Sequence, residues 1–499
     1  MKHLNPRNLK KGILVLCLIL FVSGIDAQTT ITFNVAQAST ADAGQGTRYQ
    51  ALLRVSLRFG SREKIQKMSF ALTGKENIKS LQVFSANGND ATYRFWMLPI
   101  SNAITSFPSD TVTFITDGPG LYDISSTTSD ANFYLVMEVK DDATIDALID
   151  ARCLGATIAN LDLVPANGNP AGTRKVVAPL SGTYTIKGPA GATNFTSWSA
   201  VINALNNQGW RNGITFIMTD DSLITNNATT SYIYQTGSTS NPITFKRSGT
   251  GTSKPILRTT GTGSADDAAF TLWGTDFLTI DGIDIQCPSS GTNFVEFGIR
   301  PRNSRIDGCQ NLTIQNCSFT MDSIYDSRAI YTTRNEQLND ISGNHNKLKI
   351  LNNTIKQVRW GIRLDHGNLS NFSEDSVWIE GNTISNVAIN DNNSAIYTRD
   401  IKNCFIRNNE IKDIRLGTNY QNVIRGMEVA AINLYIIGNK VHGITNPGTT
   451  NNNSRVYGIL AYGQNNYIIN NMLWDLNVSS GNIVAAGGEV IRGMSVEGY

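Results

Sequence analysis

The sequence predicts an all-β protein, in which a β-sandwich is followed by a right-handed parallel β-helix, and three observations lead to this fold class. Only 16% of the residues are charged, whereas 43 are glycine, and few charges with many turn formers are typical of extracellular β proteins. A short motif, ILNNTI at positions 350–355, recurs every 27 to 36 residues in the second half of the chain. A Gly-Ile or Ala-Ile dipeptide recurs in phase with this motif, which is the pattern expected of a solenoid built from similar coils.

Residues 1–27 have the features of a secretory signal peptide. Four basic residues precede an apolar run at positions 13–22, and SGIDA at positions 23–27 offers a cleavage site. This run is too short to cross a bilayer, and no other segment is long and apolar enough for a transmembrane span. We therefore expect a secreted protein, located outside the cell or on its surface.

Removal of this segment changes the charge balance of the chain. Basic residues fall from 42 to 38 and acidic residues from 40 to 39, so the formal net charge moves from +2 to −1. Because a surplus of basic residues is what draws a protein to phosphates, we expect no nucleic-acid partner.

Residues 28–178 predict the β-sandwich. Alternating runs such as 51–59 and 132–139 are separated by clusters of Gly, Asn, Asp and Ser, without helical periodicity. This layout loosely resembles the small β-sandwich domains that precede larger modules in secreted bacterial surface proteins, including some sialidases. The resemblance carries no catalytic motif. The following segment, 179–193, is rich in Pro, Gly and Ala and predicts a linker.

Residues 194–499 predict the β-helix. An amphipathic helix at 198–207, begun by Thr196 or Ser197 and ended by Gly209, would cover the first coil. In each copy of the repeated motif the third residue is Gly or Asn, the types that tolerate a left-handed backbone, so we expect a tight corner there. The fourth residue is usually Asn, and stacked asparagines can satisfy polar groups that the coils bury.

These Gly-Ile strands and Asn corners resemble the repeats of the pectate-lyase-like superfamily over about 230 residues. The resemblance implies a parallel β-helix, but that scaffold carries lyases, hydrolases, epimerases, adhesins and phage tailspikes. The sequence stops five residues into another Gly-Ile strand with no polar cap, which suggests that a C-terminal sorting or anchoring domain is missing.

Candidate binding residues follow from the alternation of a strand. Counted from the Gly or Ala of the dipeptide, the third and fifth positions should face solvent. The third positions are Arg300, Tyr331, Arg363, Tyr397, Glu428, Leu460 and Ser495. The fifth positions are Arg302, Thr333, Asp365, Arg399, Ala430, Tyr462 and Glu497. Six of these residues should share one face: Tyr331, Arg363, Asp365, Tyr397, Arg399 and Glu428.

This mixture suits a polysaccharide or cell-surface glycan, because guanidinium groups pair with carboxylates and tyrosine rings pack on sugars. We expect Tyr331, Arg363, Tyr397 and Arg399 to bind the glycan, in a protein that does not cleave it. An ordinary solvent-facing sheet would also carry such residues. A structural stalk or adhesin is therefore an alternative function.

The other alternative is a polysaccharide lyase or glycoside hydrolase that acts on an acidic polysaccharide, as the resemblance allows. Asp365 and Glu428 would then be the acid/base pair, with Arg363 or Arg399 stabilising charge. They lie two coils apart, about 10 Å, near the long limit for an inverting pair. A lyase would also require Ca²⁺, for which only these two carboxylates are at hand. No other cofactor is expected.

The five cysteines outside the signal peptide include no CxxC spacing, so the sequence predicts no zinc site. Cys317 takes the place of the ladder Asn in its coil and is expected to be buried. The sequence does not decide whether two of Cys287, Cys309 and Cys317 form a disulfide.

Overall fold

The structure is a computed structural model. It describes residues 31–58, 63–86, 93–94, 97–115, 123–124, 130–187, 191, 193–249, 253–288, 293–304, 307–322, 326–333, 343–365, 374–389, 394–416, 423–447, 455–478 and 491–497. The predicted signal peptide, 1–27, lies outside these residues. Two compact units divide the chain, Met1–Val177 and Ala178–Tyr499. Within the described part of the chain, no helix has the length and apolar character needed to span a membrane.

The first unit is built from short strands and one turn of 3-10 helix at Lys75–Asn77. Its strands are β1 Thr32–Gln37, β2 Ala43–Gly44, β3 Gln50–Arg58, β4 Glu63–Thr73, β5 Ile78–Ser85, β6 Leu98–Pro99, β7 Thr111–Ile115, β8 Asp123–Ile124, β9 Ala131–Val139, β10 Leu148–Ile158, β11 Leu161–Leu163 and β12 Arg174–Val177.

These strands form two sheets with one core between them. One sheet has the order β1-β3-β9-β5-β6, and the other has the order β2-β12-β10-β4-β7, with β11 beside β10 and β8 beside β4. The core joins residues of both sheets, among them Leu53 and Leu135 of the first and Phe70 and Ile149 of the second. The predicted β-sandwich is confirmed.

The second unit begins with β13 Leu180–Ile186, inside the segment that the sequence suggested as a linker. This strand pairs in parallel with the strand at 210–218, so the unit starts before residue 194. Its alternating residues, LSGTYTI, lie between Gly- and Pro-rich stretches, and those stretches hid the strand signal in the sequence.

The described residues in the rest of the unit form an α-helix, a 3-10 turn at Ala228–Thr230 and a succession of strands. The elements are β14 Asn194–Phe195, α1 Trp198–Gln208, β15 Trp210–Met218, β16 Leu223–Asn227, β17 Tyr232–Ile233, β18 Ile243–Arg247, β19 Ile256–Thr260, β20 Ala268–Trp273, β21 Leu278–Asp281, β22 Asp284–Gln286, β23 Phe297–Arg302, β24 Thr313–Gln315, β25 Ser318–Thr320, β26 Arg328–Thr333, β27 Lys349–Leu351, β28 Thr354–Val358, β29 Trp360–Asp365, β30 Glu374–Glu380, β31 Thr383–Ile389, β32 Ser394–Arg407, β33 Glu410–Leu416, β34 Val423–Ile437, β35 Lys440–Asn446, β36 Arg455–Ile469, β37 Met472–Val478 and β38 Ile491–Glu497.

Parallel pairing of these strands from coil to coil confirms the predicted parallel β-helix. The first sheet carries the Gly-Ile motif and runs from β17 through β20, β23, β26 and β29 into β32, β34, β36 and β38. The second sheet runs through β18, β21, β24, β27 and β30 and continues in the C-terminal halves of β32, β34 and β36. The third sheet contains β16, β19, β22, β25, β28, β31, β33, β35 and β37.

Helix α1 covers core residues at the start of this unit. Ser197 is its N-cap, with the hydroxyl accepting the N–H of Ala200, and Gly209 follows its last turn. Trp198 is fully buried, with its ring 5.4 Å from that of Phe245 and 4.9 Å from that of Phe270. The helix therefore shields the aromatic core of the first coils from water.

The corner between the second and third sheets is formed by the repeated Asn motif. The third motif residue has a positive φ in every copy: Gly282 (72°), Asn316 (53°), Asn352 (55°), Gly381 (69°), Asn408 (54°), Gly438 (67°) and Asn470 (53°). The expected left-handed corner is thus present. Further left-handed residues, including Asn433 and Asp413, mark bends that the sequence did not predict.

The fourth motif residue forms the expected ladder. The backbone N–H and the side-chain Nδ2 of Asn382 both donate to Oδ1 of Asn409, at 2.9 Å each. The same Nδ2 donates to the carbonyl of Ile350 at 2.9 Å. Equivalent bonds join Asn353, Asn382, Asn409, Asn439 and Asn471 in succession. Buried amide groups therefore satisfy the backbone where the chain turns.

Cys317 begins the same ladder, with its N–H donating to Oδ1 of Asn353 at 2.9 Å. The five cysteines outside the signal peptide are buried, free thiols, so the structure forms no disulfide among Cys287, Cys309 and Cys317.

The glycine of the Gly-Ile motif faces the interior. A Cβ placed on Gly361 would lie 2.6 Å from the carbonyl oxygen of Ala395 and 2.9 Å from the side chain of Ile384 on the third sheet. Gly298 and Gly426 are equally confined, against Phe319 and Val441. The first sheet can approach the third only because this position lacks a side chain, or has no more than a methyl group.

Candidate functional site

The six residues predicted to share a face lie on four consecutive strands of the first sheet. Along the third-position column, Tyr331 is in register with Arg363, and Arg363 is in register with Tyr397. Tyr397 is in turn in register with Glu428. In the fifth-position column, Asp365 is in register with Arg399. The strands thus bring these side chains together at the spacing of a β-sheet.

A further column on this face was missed in the sequence. Because the motif Gly points inward, the residue before it points outward, next to the third position. This leading column holds Phe297, Arg328, Trp360, Ser394, Arg425, Tyr457 and Arg492. The alternation of aromatic and basic residues just before each dipeptide was the signal that could have revealed it.

Arg363 lies in the middle of the face. Its Nη2 donates to Oδ2 of Asp365 at 2.6 Å, and its guanidinium lies 4.3 Å from the centre of the Trp360 ring. The side chain of Arg363 is 22% exposed and that of Asp365 is 19% exposed. The guanidinium is therefore held in place but keeps an accessible edge that could meet a ligand.

Glu428 has a different environment from Asp365. Its Oε2 lies 3.4 Å from Nε of Arg425, and it accepts the hydroxyl of Ser394 at 3.4 Å. Burial raises the pKa of Glu428, and the neighbouring Arg425, Ser394 and Arg363 do not fully offset that effect. The protonated form of this carboxyl is therefore favoured more than in an exposed glutamate.

Tyr397 lies between the two carboxylates. Its ring meets that of Trp360 edge-on, with centroids 5.7 Å apart and an interplanar angle of 83°. Burial raises the pKa of Tyr397, and the charges of Asp365 and Glu428 raise it further. The phenol therefore stays protonated and can donate a hydrogen bond to a ligand.

Arg399 borders the face and is its most exposed arginine. Its Nε is 3.7 Å from Oδ2 of Asp400, and 36% of its side chain is accessible. Burial would lower the pKa of Arg399, but Tyr397, Asp400 and Asp365 outweigh it and raise the pKa. This cation is available at the edge of the face at any physiological pH.

Tyr331 is less available than the sequence suggested. Its ring stacks on Phe297 at 5.0 Å with an interplanar angle of 10°, and the guanidinium of Arg328 lies 4.7 Å from its centroid. The ring is engaged with protein groups, which leaves it poorly suited to pack against a sugar.

Asp365 and Glu428 occupy different columns as well as different coils. Asp365 is at a fifth position and Glu428 at a third position two strands further on, so their backbones are offset along the strand too. That lateral offset adds to the two strand spacings of about 10 Å. An acid/base pair would therefore depend on the side chains leaning toward each other across Tyr397.

No group of three or more His, Cys, Asp and Glu side chains with the arrangement of a metal site occurs among the described residues. The carboxylates nearest the face instead have arginine neighbours, Arg363 for Asp365 and Arg425 for Glu428.

The second sheet carries an aromatic column of its own. Trp378, Phe405, Tyr435 and Tyr467 stack in succession at 5.7, 4.9 and 4.8 Å, with interplanar angles of 14° or less. This stack was not predicted from the sequence, although each ring stands one residue before the Ile that opens the Asn motif.

Comparison with known proteins identifies no family for this chain. No protein-family model and no curated protein matches the chain. Among solved structures, it is similar to a GH136 lacto-N-biosidase from Eubacterium ramulus, with 11% identity, 64% of this chain and 68% of that chain covered, and a TM-score of 0.35. A Family 28 exopolygalacturonase from Yersinia enterocolitica matches at 10% identity, with 94% and 98% covered and a TM-score of 0.29.

A surface adhesin of Streptococcus pneumoniae, PfbA, also matches, at 13% identity with 61% and 84% covered and a TM-score of 0.26. At identities near those of unrelated sequences and TM-scores below 0.5, these proteins identify neither the activity nor the ligand of this chain.

Proposed function

We propose that the first sheet binds a carbohydrate chain, without cleaving it, in a secreted or cell-surface protein. The observation that carries this proposal is the arrangement around Tyr397, where Arg363, Arg399 and Trp360 meet on a rigid sheet with their polar groups partly exposed. Planar guanidinium forks recognise carboxylates and hydroxyls, and a phenol between them adds a donor.

The rigidity of the strands favours binding by a preformed surface. Arg363 is already held by Asp365 and by the ring of Trp360, so a glycan would not have to order it. Binding to groups that are fixed beforehand avoids the entropy cost of immobilising long side chains. The ligand class that fits is a polysaccharide or cell-surface glycan with acidic sugars.

Cleavage of an acidic polysaccharide is the second candidate, and one observation favours it. The carboxyls of Glu428 and Asp365 have contrasting surroundings: burial raises the pKa of Glu428, whereas Asp365 is ion-paired to Arg363 at 2.6 Å. Two carboxyl groups in contrasting environments, one holding its proton more tightly than usual, are what a glycoside hydrolase needs.

A glycan array and direct titration with the full chain test the proposal. We expect Arg363→Met to weaken glycan binding by about tenfold or more, because the substitution removes a charge-assisted hydrogen-bond donor. Arg407→Met is the matched control, because Arg407 lies 4.8 Å over Phe405 on the second sheet and away from the face. If both variants lost the same affinity for glycan, or if no glycan bound at all, the alternative function of a structural stalk would be favoured.

Incubation with acidic polysaccharides separates binding from cleavage. Release of unsaturated uronate would establish a lyase, and new reducing ends that disappear in Glu428→Gln would establish a hydrolase. Either result would overturn the non-catalytic proposal.

A further inference from the structure

Two arginines on the first sheet converge on one carboxylate, in coils that precede the face around Tyr397. Arg300 and Arg302 lie at the third and fifth positions of β23. Asp266 lies in the turn before β20 and places its carboxylate between them. Its Oδ1 accepts a hydrogen bond from Nη1 of Arg300 at 2.6 Å, and its Oδ2 accepts one from Nη1 of Arg302 at 3.3 Å.

Aromatic rings hold both guanidinium groups from the other side. The guanidinium of Arg300 lies 4.1 Å from the centre of the Phe297 ring, and that of Arg302 lies 4.1 Å from the centre of the Trp273 ring. Stacking on a ring fixes the plane of a guanidinium independently of its ion pair. The two forks would therefore keep their positions if Asp266 moved away.

Burial and charge make this pair of arginines unusual. The side chain of Arg300 is only 8% exposed, whereas that of Asp266 is 53% exposed. Burial and the charge of Arg300 lower the pKa of Arg302 to about 10. Within the described residues, the buried Nε of Arg300 has no hydrogen-bond partner. One exposed carboxylate thus serves two desolvated cations, which leaves a positive surplus at a fixed position.

The neighbouring carboxyl of Glu296 does little to cancel that surplus. Burial raises its pKa to about 7, so it is largely protonated in mildly acidic solution. Its Oε2 accepts the backbone N–H of Asp267 at 3.1 Å and is not paired with either arginine.

We propose that Arg300, Arg302, Phe297 and Trp273 form an anion cradle for the carboxylate of a uronic acid residue, and that Asp266 occupies it when no ligand is bound. The acid group of the sugar would replace the carboxylate of Asp266 between the same two forks. This inference rests on the proposed glycan-binding function and names its ligand class.

The cradle is aligned with the face around Arg363. Arg300 and Arg363 stand at the third position of β23 and β29, two strand spacings or about 10 Å apart. An extended glycan advances by about one strand spacing per sugar, so an acidic chain held at Arg363 would reach the cradle about two sugars away.

Removal of the competing carboxylate is the test. Sodium galacturonate and galactose, which differ in the acid group, are titrated into the wild-type chain, Asp266→Asn and Asp130→Asn. We expect Asp266→Asn to bind galacturonate about five- to tenfold more tightly than the wild type, because the substitution removes the carboxylate that competes with galacturonate for the two arginines. Galactose binding should not change, and Arg302→Met in the Asp266→Asn background should abolish the gain.

Asp130→Asn is a matched control, because Asp130 is partly exposed and pairs with an arginine, Arg58, at 2.8 Å in the first unit, outside the sheet that carries the cradle. The two substitutions alter the net charge equally. A gain in Asp266→Asn no larger than in Asp130→Asn, or an equal gain for galactose, would overturn the cradle. This titration does not require binding at Tyr397, so failure of the cradle and failure of the proposed function remain distinguishable.

Discussion

The first and second sheets of the β-helix both carry outward aromatic side chains at the spacing of parallel strands, yet the rings are used differently. On the second sheet, Trp378, Phe405, Tyr435 and Tyr467 are stacked nearly parallel. On the first sheet, Trp360 meets Tyr397 edge-on, and the guanidinium of Arg363, paired with Asp365, lies beside both rings.

This difference distinguishes a structural column from the binding surface that we propose. Rings in a parallel stack offer their faces to one another and only their edges to solvent, so they have little left for a sugar. Where arginines and carboxylates interrupt the rings, hydrogen-bonding groups stay accessible. A regular aromatic column in a solenoid is therefore weak evidence for binding, and interruption by charge is stronger evidence.

The largest expected loss of stability comes from breaking the aromatic stack of the second sheet. Tyr435→Ala removes the ring that contacts Phe405 at 4.9 Å and Tyr467 at 4.8 Å, so we expect the second unit to lose about 2–3 kcal/mol of stability. Denaturant unfolding measures the loss, and glycan binding should be unchanged. Tyr467→Ala is the milder control, because that ring is already 49% exposed. Loss of glycan binding in Tyr435→Ala would contradict the division between a structural second sheet and a glycan-binding first sheet.

The next effect concerns a buried carboxyl at the edge of the first sheet. Burial raises the pKa of Glu296 from 4.5 to about 7, so the folded chain holds a proton there that the unfolded chain releases. Stability should therefore fall as the pH rises from about 4.5 to about 7, by roughly 2 kcal/mol. Glu296→Gln should flatten this slope in unfolding measurements made across that range. An unchanged slope would show that another group is responsible.

The smallest expected loss of stability comes from adding a methyl group at the motif glycine, where the first sheet lies close to the third. Gly361→Ala would place a Cβ 2.6 Å from the carbonyl of Ala395, and we expect a loss of about 1 kcal/mol or more from this overpacking. Gly493 occupies the same motif position with nothing within 4 Å of an added Cβ, so Gly493→Ala should be close to neutral. Thermal unfolding of the two variants compares them directly; equal shifts would mean that the motif glycine is not required by packing.

The repeat made the fold predictable because adjacent residues of one short motif both turn the chain and pair it with the next coil. Asn352 and its equivalents turn the chain through a left-handed residue, and Asn353 and its equivalents pair with the next coil, so a single motif specifies both the corner and the stacking. Strand β13 was overlooked because Gly and Pro around it suggested a linker. The bends at Asn433 and Asp413 also recur, in Asn403, Asn433 and Asn465 and in Asn386, Asp413, Gly443 and Asp475. They were missed because only the residues of the Asn motif and the Gly-Ile dipeptide were followed from copy to copy.

The site was only partly accessible to sequence reasoning. Strict alternation from the Gly-Ile dipeptide located Arg363, Tyr397 and Glu428 on neighbouring strands. It missed Trp360 and Arg425, because it did not anticipate that the motif glycine points into the interior. Contacts of Tyr331 with Phe297 and Arg328 depend on side-chain directions that periodicity does not supply.

The asparagine ladder also determines how such a protein can change over evolutionary time. Successive rungs are separated by 36, 29, 27, 30 and 32 residues, yet each donates its backbone N–H to the side-chain oxygen of the next asparagine. The register of the scaffold is thus independent of how much chain lies between rungs. Insertions and deletions next to the first sheet can be accepted without unstacking the coils, so ligand preference can diversify while the architecture stays constant.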